Sequence, residues 1–333
     1  MTRVAVMGAG GWGTTLADLL CARGEEVVLW AHEPEVADEV NRRHRNDLFL
    51  PDSPLQPSLT ATTDCFAAVG GAEVVISAAP SHAVRRVMGA ASAGIAAGAL
   101  VVSASKGLEP TTHLRMTEVL AQVLAPGSAI AALSGPTFAR EVYERQPTAA
   151  VVAAVSGQAA QRAQVALGAP HLRLYTNDDV IGVELAGALK NVVAIAAGIL
   201  DGLGMGHNPR AALITRGLAE ISRLGAAMGA RPATFAGLAG MGDLLLTATG
   251  PLSRNRSLGF EVGRGKTLDE VVGRRLSVAE GVGTARAAVE LAAQVGVELP
   301  IAREVVCVLF EGKPLREAIG QLMERSLKSE TWS

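Results

Sequence analysis

The stretch RVAVMGAGGWG, residues 3–13, decides the fold. Its residues Val4 to Met7 are apolar and run directly into Gly8-x-Gly10-x-x-Gly13. A helical pattern, TTLADLLCARG, follows at once. A glycine motif alone carries little weight in a chain with 37 glycines. Between a strand and a helix it acquires a mechanism: Gly8 permits the tight turn, Gly10 lets a pyrophosphate approach the backbone, and Gly13 lets helix and sheet pack closely. This is a dinucleotide-binding turn.

Outward from it, the first half alternates short β-rich runs with helical patterns. Strands are expected at 3–8, 26–31, 73–79, 100–105, 129–134 and 148–154. Such alternation predicts βαβ units in a Rossmann-type, doubly wound parallel sheet with helices on both faces. After RLYTNDD (173–179) nearly everything reads as helix, broken by turns such as LGMGHNP and GARP. Two domains follow, residues 1–179 for the dinucleotide and an all-helical 180–333, and a chain of 333 residues is long enough for two cores.

The helical half opens with LAGALKNVVAIAAGIL (185–200), an aliphatic stretch with Lys190 and Asn191 at its centre. Arginine outnumbers lysine 25 to 5, so lysine is not the routine surface cation. At helical spacing Lys190 falls on an apolar stripe with Ala186, Gly187, Val193 and Ala194. A buried ammonium needs a partner and deprotonates more easily. That chemistry suits a proton donor and acceptor in a cleft, although a salt-bridged or snorkelling lysine reads the same way.

Composition narrows the function. A net charge of −2 and a pI near 6.3 give no field for nucleic acid or an anionic membrane. No run of 18 unbroken apolar residues and no leader pattern is visible, so neither stable membrane insertion nor export is expected, and the cytoplasm is the expected compartment. Cys21, Cys65 and Cys307 are few and widely spaced, without disulfide or zinc spacing. The histidines lack paired-ligand spacing, no metal is expected, and His207 reads as a turn residue.

Ligands of doubly wound sheets gather beyond the C-terminal strand ends. Pro80-Ser81-His82, Lys106-Gly107 and Gly135-Pro136-Thr137 follow three of the expected strands. The helical half adds Asp243 after GLAGMG and the trio Ser253, Arg254 and Asn255, which could cradle a phosphate or simply form a solvated turn. After the second strand, Ala31 and His32 stand where strict NAD enzymes place an acid, with Glu33 one residue later. NADP or dual use of NADP and NAD is expected over strict NAD.

In order and spacing, GAGGWGTTLA, SKGLE, SGPTFAREV, LKNVVAIAAGILDGLGMGHNPRAALITRGLAEI, GLAGMGDLLLT, SRN and VAEGVGTARA resemble the bacterial-type NAD(P)-dependent glycerol-3-phosphate dehydrogenases over essentially the whole chain. The resemblance implies reversible reduction of dihydroxyacetone phosphate to sn-glycerol 3-phosphate for glycerophospholipid synthesis. It assigns proton transfer to Lys190 and substrate contacts to Lys106, Gly135, Thr137, Asp243, Ser253, Arg254 and Asn255. Cofactor contacts fall on Gly11, Trp12, His32, Lys106, Ala139, Arg254, Val278 and Glu280, beside the three motif glycines. On that reading Asp243 counters the charge of Lys190, Asn191 helps orient substrate, and Lys106 polarises the carbonyl. Two departures stand out: Gly11 replaces a common serine, and Gly250-Pro251 occupies a loop more polar in many relatives. A β-hydroxyacid or 6-phosphogluconate type dehydrogenase and a non-catalytic redox sensor are the alternatives. A homodimer built on the apolar helical half is expected.

Overall fold

The computed structural model describes residues 1–273, 279–327 and 329–330. Eight strands form one sheet in the order β3-β2-β1-β4-β5-β6-β7-β8. They are β1 (Arg3–Met7), β2 (Glu26–Trp30), β3 (Thr60–Thr62), β4 (Val74–Ser77), β5 (Leu100–Ser103), β6 (Ala129–Ser134), β7 (Thr148–Ala153) and β8 (Leu172–Asn177). Strands β1 to β6 are parallel neighbours, with Met7 level with both Trp30 and Ser77. The order reverses between β1 and β4, which leaves a crevice beyond their C-terminal ends.

The sheet departs from the expected pattern at two places. β7 runs antiparallel to β6, so the sheet is not parallel throughout. β3 and β8 were not expected as strands, and both lie at sheet edges. β3 has three residues, and β8 alternates buried and exposed positions over its first four residues only. Short edge strands carry a weak hydrophobic signal.

Apolar cores lie on both faces of the sheet, one under Leu16, Leu20, Val36 and Val40, the other under Val87, Met88, Val119 and Leu120. A further core fills the helical region around Leu189, Val192, Ile195 and Phe235. Its axis is the helix Val180–Gly202, whose N-terminus is capped by the Asp179 carboxylate accepting from Gly182 N at 2.9 Å. This helix is long and apolar enough to cross a membrane, yet most of it is buried inside the protein.

Against its C-terminal half lies the helix Arg254–Gly263, packed backbone to backbone. A Cβ on Gly198 would come within 2.0 Å of Arg256 O, and one on Gly259 within 2.0 Å of Ile195 O. Only glycine allows so close an approach. The contact fixes where Arg254 and Asn255 begin.

Candidate active site

The glycine turn has the shape a pyrophosphate needs. Gly8 sits at φ +133°, and a Cβ there would lie 2.7 Å from the Ala78 carbonyl carbon. A Cβ on Gly13 would lie 1.9 Å from Gly8 O, whereas Gly10 faces open space. The helix Gly11–Ala22 starts here with no side chain capping its first N–H groups and no acid in its first turn. Unspent N–H donors and the positive end of the helix dipole fit a dinucleotide. Asn46, fully buried, stiffens the turn by donating to Ala9 O and Thr14 Oγ1, each at 2.8 Å. The carbonyl of Phe49 lies 2.8 Å from where a Gly11 side chain would begin, so this loop occupies the space of the serine common at that position.

Other expected cofactor residues are spread around the crevice. His32 is exposed beyond β2, its ring 6.1 Å from that of Trp30. Trp12 is half-buried, and its indole N–H is buried with no hydrogen-bond partner among the described residues. Ala139 opens the helix Ala139–Tyr143 and its carbonyl accepts from Thr15 Oγ1. Glu280, at the start of the helix Glu280–Gln294, accepts from Ser81 N at 3.1 Å and Ser81 Oγ at 2.5 Å. Val278 lies outside the described residues.

Deeper in, the structure brings the two expected lysines to one carboxylate. Asp243 is 1% exposed and opens the helix Asp243–Thr249 without capping it. Its Oδ1 accepts from Lys190 Nζ at 2.5 Å, and its Oδ2 from Lys106 Nζ at 2.8 Å. Lys106 also donates to Gly135 O at 2.7 Å and Thr137 Oγ1 at 3.2 Å. Two ammonium groups thus share one counter-ion at the bottom of the crevice.

Lys190 is 6% exposed, and its amine is held down at about pKa 7. Burial is the main cause, with the charges of Lys106 and Arg254 adding to it and Asp243 opposing. An amine near neutrality can both give and take a proton. Thr247, absent from the sequence reading, accepts from Lys190 Nζ at 2.7 Å.

The trio at 253–255 divides. Ser253 Oγ accepts from Arg256 N and caps its own helix. Asn255 turns inward, donating to Asn191 Oδ1 at 2.9 Å and accepting from Gly281 N at 2.9 Å. Arg254 alone is exposed, at the helix start. Asn191 donates in turn to Lys106 O at 3.2 Å, so it holds the site together as well as facing it.

The comparisons decide among dehydrogenases of this architecture. Residues 3–160 match the model of the NAD-dependent glycerol-3-phosphate dehydrogenase N-terminus, and residues 179–320 that of its C-terminus. The chain belongs to this family. The glycerol-3-phosphate dehydrogenase [NAD(P)+] of Geobacter sp. (strain M21) is 53% identical over 98% of both chains, and that of Thermobifida fusca 48% over 100% and 99%. The crystal structure of the Coxiella burnetii glycerol-3-phosphate dehydrogenase superimposes with a TM-score of 0.93 at 38% identity, covering 97% of this chain and 99% of that one. A ketopantoate reductase from Ralstonia eutropha shares the fold alone, at a TM-score of 0.64 and 19% identity. The protein is thus an NAD(P)-dependent oxidoreductase of the glycerol-3-phosphate dehydrogenase family.

Proposed function

We propose that the dehydrogenase reversibly reduces dihydroxyacetone phosphate to sn-glycerol 3-phosphate, with Lys190 as proton donor. The observation that carries this reading is the buried Lys190 amine, near neutrality and paired with Asp243 beside Lys106. A dinucleotide held by its pyrophosphate at the glycine turn would supply the hydride from its nicotinamide. Negative charge then develops on the substrate oxygen; Lys106 stabilises it and Lys190 gives up its proton to it, leaving a neutral amine that solvent recharges. Asp243 balances the two ammonium groups, and Thr247 accepts from the amine and so aims it. Arg254 and the start of its helix bind the phosphate, with Ser253 and Asn255 shaping that end. Gly135 and Thr137 line the wall beside Lys106.

Several finer assignments belong to the same reading. Residues 1–179 bind the dinucleotide and 180–333 form the substrate domain. His32 in place of an acid favours NADPH or dual use. The product feeds glycerophospholipid synthesis, in the cytoplasm, by a homodimer.

Lys190→Ala tests the central claim. Turnover of dihydroxyacetone phosphate should fall ~10²–10⁴-fold while NADPH binding persists. Retention of more than about a tenth of the rate would overturn the assignment.

A further inference from the structure

The segment that carries Lys106 leaves the sheet and returns as a closed loop. Leu108 pairs with Arg115 across its base, and Glu109 N donates to Leu114 O at 3.0 Å. Leu108, 1% exposed, is buried in the core of the helical region although its chain comes from β5. The loop is therefore seated on the helix Val180–Gly202 and not merely near it.

Two side chains of that helix grip the loop at its two ends. Asn191 donates to Lys106 O. Seven residues earlier, Glu184 accepts from Thr117 N at 2.8 Å, Thr117 Oγ1 at 2.5 Å and Arg115 Nη1 at 2.8 Å. Positions 184, 187 and 191 share one helical stripe, and the grips are about 10.5 Å apart. Between them a Cβ on Gly187 would meet Ser134 Oγ at 2.5 Å and Lys106 Cγ at 3.7 Å. The side chain of Glu184 is only 8% exposed and that of Arg115 10%. A buried carboxylate with three donors defines position strictly, because losing any donor strands a desolvated charge.

We infer that Glu184 is a positioning residue for the reaction: through Arg115 and Thr117 it fixes the Lys106 loop so that both lysines meet at Asp243. It touches no reacting atom. The chain of contact runs from Glu184 to Arg115, across the bridge to Leu108, and two residues back to Lys106. This rests on the proposed roles of Lys190 and Lys106. If the grip slackens, Lys106 withdraws and its charge no longer holds the Lys190 amine down.

The test compares Glu184→Gln with Glu220→Gln and Lys190→Ala in full-length protein. Glu220, in the helix His207–Ala227, is a buried carboxylate accepting from Ile301 N at 2.9 Å, and among the described residues it makes no hydrogen bond to the loop. Glu184→Gln should lower kcat/KM for dihydroxyacetone phosphate at least tenfold and move the alkaline limb of reduction to higher pH. ADP-ribose affinity should stay within twofold. Glu220→Gln should leave the limb where it is. A Glu184→Gln protein that keeps its kcat/KM and its limb, as Glu220→Gln should, would overturn the inference. Should it fail to bind ADP-ribose, Thr117→Val replaces it: a smaller limb shift of the same sign supports the grip, and an unmoved limb overturns it. An active Lys190→Ala protein sinks the site reading and the grip together, whereas an inactive one beside a normal Glu184→Gln sinks the grip alone.

Discussion

The amine of Lys190 makes the direction of the reaction depend on pH in opposite senses. Reduction needs the charged donor, so kcat/KM for dihydroxyacetone phosphate should fall as pH rises through about 7. Oxidation of glycerol 3-phosphate needs the neutral amine, and its kcat/KM should rise through the same range. Paired pH profiles check this, and limbs that move in the same direction would contradict it. Lys190 was legible because a scarce cation on an apolar stripe demands a partner. Asp243 was read as a carboxylate at a helix start and as the counter-charge of Lys190, but not as the counter-ion of Lys106 as well. Thr247 was not legible, since a threonine one turn after Asp243 commonly bonds back to the preceding turn, as it does here to Asp243 O at 2.7 Å. Glu184 and Arg115 are 69 residues apart, and nothing local joins them.

Among the elements, the contact between Val180–Gly202 and Arg254–Gly263 determines the geometry of the phosphate end. Gly259→Ala places a methyl where Ile195 O already sits, and the helices must separate. Overpacking of this kind costs about 1–3 kcal/mol. Because the displaced helix begins at Arg254, KM for dihydroxyacetone phosphate should rise several-fold while NADPH affinity changes little. Steady-state kinetics with denaturant unfolding would show it, and an unchanged KM would place the phosphate elsewhere. The same glycines were visible in the sequence only as spacing. Which helix each one faces depends on tertiary packing. The central strands, by contrast, were readable because burial on both faces leaves continuous apolar runs such as VVIS and LVVS. β8 loses its alternation after four residues and β3 is short, so neither stood out, and the reversal at β7 leaves no mark in composition.

Across the whole molecule, the sheet region and the helical region are joined by more than the junction after β8. Asn191, Asn255 and Gly281 form a hydrogen-bonded line that continues to Lys106, and Glu280 bonds Ser81 across the crevice. Calorimetry should therefore record one unfolding transition, with calorimetric and van't Hoff enthalpies in agreement. Two resolved transitions would mean that these cross-links contribute little. The placement of Leu108 reaches further. Severed after β8, each fragment would bare an oily surface that the other normally shelters, Leu108 on one and its socket on the other. Neither piece should be well behaved alone, and mixing the two should restore a working catalyst that neither contains.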